Sequence, residues 1–183
     1  MSNNLDPRSL FVGNHLCIAF EGQTIPSTGQ KVDKFNIPSM DVLDAELWQK
    51  PGDINDVNLN PELEEVELKI PDPVIMKVAD QVVTSYKHVY SFVLNTLSLA
   101  ALEVVFGTKI DPVTGIGKPG SRPMPKVWAV WQAVDPQLQK RIIVNCWGVF
   151  RQDGGAKFGD NDFTKPTFNL SELESPLNKV QLL

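Results

Sequence analysis

Tyr86-Lys87-His88-Val89-Tyr90-Ser91-Phe92-Val93-Leu94-Asn95-Thr96-Leu97-Ser98-Leu99-Ala100-Ala101-Leu102-Glu103-Val104-Val105-Phe106-Gly107 changes its period midway. Tyr86, His88, Tyr90, Phe92 and Leu94 occupy alternate positions, with Lys87, Val89, Ser91 and Val93 between them. That is the two-residue repeat of a pleated strand. From Ser98 onward the apolar residues take helical spacing. Ser98 has the hydroxyl an N-cap needs, and Gly107 stands where a left-handed residue closes a helix. The stretch predicts a strand, a corner at Asn95-Thr96, and a helix over 98–106 whose Leu99, Leu102 and Phe106 pack on a sheet. None of its side chains is a strong nucleophile in a catalytic setting, so the unit points to architecture.

On either side the pattern is mostly β. Leu16, Ile18 and Phe20 alternate with His15, Cys17 and Ala19 in a strand over 10–20, behind a polar N-terminal arm at 1–9. Residues 21–30 are rich in turn formers and read as a loop. A strand is expected at Val32 to Ile37, with Phe35 and Ile37 in phase. An extended segment or a short helix is expected at Asp41 to Trp48. Residues 49–61 lose periodicity and read as a long inter-strand loop, a type usually functional or disordered. Glu65, Glu67 and Lys69 alternate with Val66, Leu68 and Ile70 in a strand with one wet face, and Val74 to Val83 reads as another. A Gly/Pro-rich excursion spans 109–125. Val127 to Val134 and Gln139 to Arg151 form a hairpin turning at Asp135-Pro136. Short strands at Thr167 to Leu170 and Asn178 to Leu182 close the chain. Eight or nine strands and one helix predict a single, mainly β domain over 1–183: an antiparallel β-sandwich or barrel with one short flanking α-helix and long loops.

Composition narrows the function classes. With 183 residues, 42% hydrophobic and 21% charged, the chain can bury a core without staples. It has no apolar run long enough to span a membrane and no leader-like opening, so neither a span nor a signal peptide is expected. Cys17 and Cys146 lie in strand-like segments and read as buried free thiols. Residues 1–75 carry 13 acidic and 5 basic side chains, net −8, and residues 76–183 carry 9 and 12, net +3. That excludes a uniformly basic nucleic-acid reader. Two readings remain: unequal solvated loops, or opposite-sign surfaces that meet when copies associate head to tail.

The motifs lean to structural readings. Gly115-Ile116-Gly117-Lys118-Pro119-Gly120 fits G-x-G-x-x-G literally, but Pro119, Pro123 and Pro125 prevent the helix that a dinucleotide site needs. Glu62, Glu64, Glu65 and Glu67 read as a solvated strand face or a line of carboxylates along an aqueous channel. They lack the spacing of a calcium loop or a glycosidase pair. His15 and His88, the only histidines, have no metal-ligand spacing, and no nucleophile elbow is present. No catalytic residue, cofactor or metal is therefore expected. Trp128, Trp131, Trp147 and Phe150 suit core packing, with a carbohydrate- or ligand-stacking groove as the alternative.

The opening Asn3-Asn4-Leu5, then Leu10-Phe11-Val12-Gly13-Asn14-His15-Leu16-Cys17-Ile18-Ala19-Phe20, the acidic middle, the Tyr86 to Gly107 unit and the closing strands resemble, in pattern and order, the major tail tube proteins of long-tailed bacteriophages. The type VI secretion tube protein shares that architecture. The resemblance implies a non-enzymatic virion protein of the tail, assembled in the host cytoplasm. Its subunits would form hexameric rings that stack into a tube through which DNA passes without specific binding. Other tail proteins (tape measure, terminator, baseplate) would be its partners. A terminator, completion or baseplate-hub ring protein of the same fold is the nearest alternative. On this reading Glu65 and Glu67 face an acidic lumen. Ile54, Val57 and Leu59, apolar residues in the polar 49–61 stretch with no evident place in a core, are the expected inter-ring contact.

Overall fold

Branched and aromatic residues at alternate positions drive the strand pairing, and all of it is antiparallel. The computed structural model of the chain describes residues 15–71, 76–111, 113–121, 124–135, 140–154 and 165–182, with side chains described at all of these except 63–71, 76–85, 133–135, 140 and 182. Among them are seven strands: β1 (His15–Phe20), β2 (Ile54–Pro71), β3 (Met76–Leu94), β4 (Lys126–Asp135), β5 (Lys140–Asp153), β6 (Thr167–Glu172) and β7 (Lys179–Leu182), with α1 (Leu99–Val105) between β3 and β4. They form one sheet in the order β1-β4-β5-β6-β3-β2, and β7 also pairs with β5. The length of β5 lets one edge serve two short partners, β7 along Ile142–Asn145 and β6 along Gly148–Asp153. At Gly148 an added Cβ would lie 2.5 Å from the Ser171 carbonyl oxygen, so only glycine lets β5 and β6 approach this closely.

Both faces of the β1-β4-β5 region are buried. Val127, Ala129 and Trp131 of β4 join Leu16, Ile18 and Phe20 of β1, Tyr90, Phe92 and Leu94 of β3, and Phe150, Phe168 and Leu170 in the main core, which α1 covers. Phe150 and Phe168 stack with ring centroids 5.3 Å apart, and Tyr90 meets Trp131 edge-on at 5.5 Å. On the opposite face Trp128 and Trp147 pack with Ala19, Ile25 and Val32 beneath the segment 24–48. Two layers therefore flank the sheet, α1 on one side and 24–48 on the other.

The helix keeps its expected caps. The Ser98 hydroxyl accepts from the Ala101 N–H at 3.5 Å, and Gly107 takes φ +55° just beyond the C-cap residue Phe106. Its buried face is the one sequence periodicity did not choose. Ala100, Ala101 and Val104 point into the core, while Leu99 and Phe106 are half-exposed. A helix apolar on every side but Glu103 offers two candidate faces. The sheet beneath already holds Phe and Trp rings, so the small-residue face fits where leucines would not.

Two other segments differ from expectation, and a third takes one of its two expected forms. Val32 to Ile37 is no strand: the Asp33 carboxylate accepts from the N–H groups of Phe35 and Asn36 and folds the chain into a turn. Asp41 to Trp48 is turn followed by a 3₁₀ helix at Ala45–Leu47. Residues 49–61 are a loop only at their start, because β2 begins at Ile54. The β4–β5 hairpin pairs in register from Lys126↔Val149 to Asp135↔Lys140, as the turn residues imply. Within 109–125 the described residues form turns, and no helix follows Gly120, so the phosphate-cradle reading has no structural support.

Candidate assembly interface

β2 and β3 form a ribbon of 18 and 19 residues, far longer than the other pairings. Its first half belongs to the body. Ile54 pairs with Leu94, Val57 with Phe92 and Leu59 with Tyr90, three residues that point into the main core. A register shift between Ile54 and Asp56 absorbs one residue, which brings Ile54 and Val57 onto the same side despite their odd spacing. Ile54 and Val57 consequently pack against the core. Leu59, further along, is half-exposed. The expectation that these three lack a place in the core is thus wrong for two of them. The bulge hides the two-residue repeat from a reading of sequence alone.

The second half leaves the sheet. β6 pairs with β3 only along Val89–Val93, so beyond Pro61↔His88 the ribbon continues as two strands to Pro71↔Met76. β2 ends the sheet order, and among the described residues no strand pairs with its outer edge. The other terminal strand, β1, is partly covered, because Ile18 and Gln49 exchange both backbone hydrogen bonds at 2.8 Å. Glu65 pairs with Val83 and Glu67 with Gln81 in the outer ribbon, with a further bulge between Glu64 and Glu65. Their side chains lie outside the described residues.

A polar cluster marks the point where the ribbon departs. His88 Nδ1 lies 2.6 Å from Glu172 Oε2 on β6, and its Nε2 lies 2.8 Å from the Tyr86 hydroxyl. Asn178 donates to Glu172 Oε1 at 3.0 Å, and the Ser91 hydroxyl donates to Asn169 Oδ1 at 2.7 Å. Lys87 and Glu62 face each other across the ribbon at 3.9 Å. A cavity of about 560 Å³ opens beside this cluster, lined by Tyr86, His88, Glu172, Ser175 and Asn178 among others. The phenol of Tyr90, which stacks on His88, is held neutral: burial pushes its pKa well up, helped by the nearby Cys146 and Glu172. Sequence spacing shows Tyr86 and His88 on one strand face, but the carboxylate that His88 meets is 84 positions away.

The cysteines and tryptophans take the packed places expected of them. Cys17 and Cys146 are buried and free. Burial raises both thiol pKa values, with Lys50 partly offsetting it at Cys17 and Glu172 adding to it at Cys146, so neither is a ready thiolate. Trp128, Trp131, Trp147 and Phe150 are all buried, which removes the ring faces a sugar- or base-stacking groove would need. Among the described residues no three His, Cys, Asp or Glu side chains gather as metal ligands. No family model matches the chain, and a search of curated proteins finds no similar sequence.

Proposed function

We propose that this chain is a structural subunit that self-associates into hexameric rings, which stack into the tail tube of a long-tailed bacteriophage and form the conduit for its genome. The observation that carries this reading is the outer edge of β2, a strand of 18 residues at the end of the sheet with no partner among the described residues. An unpaired edge of this length templates strand addition, and an isolated two-stranded ribbon is marginal in water. Copies that join their ribbons around a closed ring would satisfy both. The mainly β fold with one capped helix supports the reading, and the resemblance in pattern and order supplies the ring number and the tube.

On this reading the glutamates of the outer ribbon, Glu65 and Glu67, line the channel and repel DNA phosphates, as a conduit requires. The inter-ring role first expected of Ile54, Val57 and Leu59 narrows to Leu59, since Ile54 and Val57 serve the core. The partners are other copies and, at the tube ends, tape measure, terminator and baseplate proteins. No catalytic step or cofactor enters. Size-exclusion chromatography followed by negative-stain microscopy tests the proposal. Stacked hollow tubes are expected. Isolated rings would favour a terminator, completion or hub protein, and monomers at every concentration would contradict both.

A further inference from the structure

We propose that a second copy of this chain docks head to tail through two exposed apolar knobs of opposite charge setting on opposite sides of the sheet, a contact that rests on the self-association proposed above and gives it residues. The first knob is on the layer 24–48. Val42 and Leu43 are 64% and 70% exposed, flanked by the exposed Asp41 and Glu46. The second is on the excursion beside α1. Val113 and Ile116 are 90% and 74% exposed, and Lys109 and Lys118 lie nearby with no carboxylate partner among the described residues.

Both knobs are built rigidly. Asp44 braces the first within its own layer by accepting from Ser27 and Ser39. Asp111 folds the second: its carboxylate accepts from Val113 N–H and the Thr114 hydroxyl at 2.9 Å, and its carbonyl accepts from Gly115 N–H at 2.8 Å. Glu103 also braces the second knob, its carboxylate accepting from Ile110 N–H at 2.8 Å. Charge follows the same division: 24–48 holds four acidic and two basic residues, and 109–125 holds one acidic and three basic.

The 24–48 layer packs over Trp128 and Trp147, and the excursion is bonded to α1 and its C-cap, through Ile110 N–H to Glu103 and Gly120 N–H to Phe106 O, while α1 covers the main core on the other face. One chain cannot bring its own knobs together. A second copy can, and the contact is heterologous, so repetition closes a ring or extends a row. Apolar centres rimmed by opposite charges are the pattern that fixes register between partners.

Two charge-reversed proteins test this: Lys109→Glu with Lys118→Glu, and Asp41→Lys with Glu46→Lys. Each alone juxtaposes like charges and is expected to associate roughly 100-fold more weakly than the wild type in sedimentation velocity. Mixed in equal amounts, or combined in one chain, the two changes restore opposite charges and should recover wild-type association. Leu43→Ser and Ile116→Ser provide a second, uncharged pair, each expected to weaken association if the knobs touch. Recovery on mixing, with tubes, supports the contact and the tail-tube reading. Recovery into open rows without rings supports the contact and overturns the tube. Association unchanged in all these variants, or no recovery from correctly folded ones, overturns the contact even if tubes form. A wild type that never associates overturns both.

Discussion

Asp44 has no exposed surface, yet its carboxyl titrates below the usual carboxylate range. Burial opposes ionisation, and the hydroxyl and N–H of Ser27 at 2.6 and 2.9 Å, with the N–H of Ser39 at 3.0 Å, outweigh it. Because the folded pKa is depressed, the stabilisation is complete above the unfolded value of about 3.9 and is lost as pH falls through the folded value. Asp44→Asn should therefore cost about 1.5–3 kcal/mol in urea denaturation at pH 7, the range for hydrogen bonds to a charged group. The gap to the wild type should shrink in the acid range, and an equal gap at pH 7 and pH 3 would contradict this account. Gly52 is the second residue whose identity is dictated locally. A Cβ there would lie 1.9 Å from the Thr96 carbonyl oxygen, in a strap held by Ser98 N–H to Pro51 O and Asn95 N–H to Asp53 O. Gly52→Ala must displace backbone and is expected to destabilise by about 1–3 kcal/mol, measured by thermal or chemical denaturation. A neutral effect would mean that the strap is free to shift.

The elements differ in how openly the sequence declares them. α1 announces its limits through Ser98 and Gly107 but not its orientation, since apolar residues surround it. The buried face makes a specific demand: Ala101→Leu should overpack the core and cost about 1–3 kcal/mol, while Leu99→Gln, on the half-exposed face, should stay within about 0.5 kcal/mol of wild type. The reverse order in denaturation midpoints would restore the leucine face. β4 and β5 were legible because alternation and turn chemistry agree over their whole length. β2 was half hidden, for the bulge after Ile54 breaks its phase and Pro61 reads as a breaker although it occupies an edge strand that tolerates proline. The turn at Asp33 was misread because local side-chain bonds to Phe35 and Asn36 N–H override the β propensity of Val32, Phe35 and Ile37. The root of the ribbon was illegible for a different reason: His88 and Glu172 meet only through the β3–β6 pairing.

At the scale of the molecule, one sheet is buried on both faces around β1, β4 and β5 and ends in a long edge at β2. Charges, Pro61 and bulges punctuate that edge, but a closed domain would also cover or shorten it, and β2 keeps 18 residues. Here it runs on beyond the body, so the account's central claim is that another copy covers it. Hydrogen–deuterium exchange of the wild-type protein, compared between a dilute sample and one concentrated until it assembles, reads that edge directly. The predicted result is fast exchange along Ile54–Pro71 when dilute and strong protection when assembled, with the core strands β4 and β5 protected in both. Equal exchange along β2 in monomer and assembly would contradict the claim, because the ribbon's edge would then have no partner in the particle.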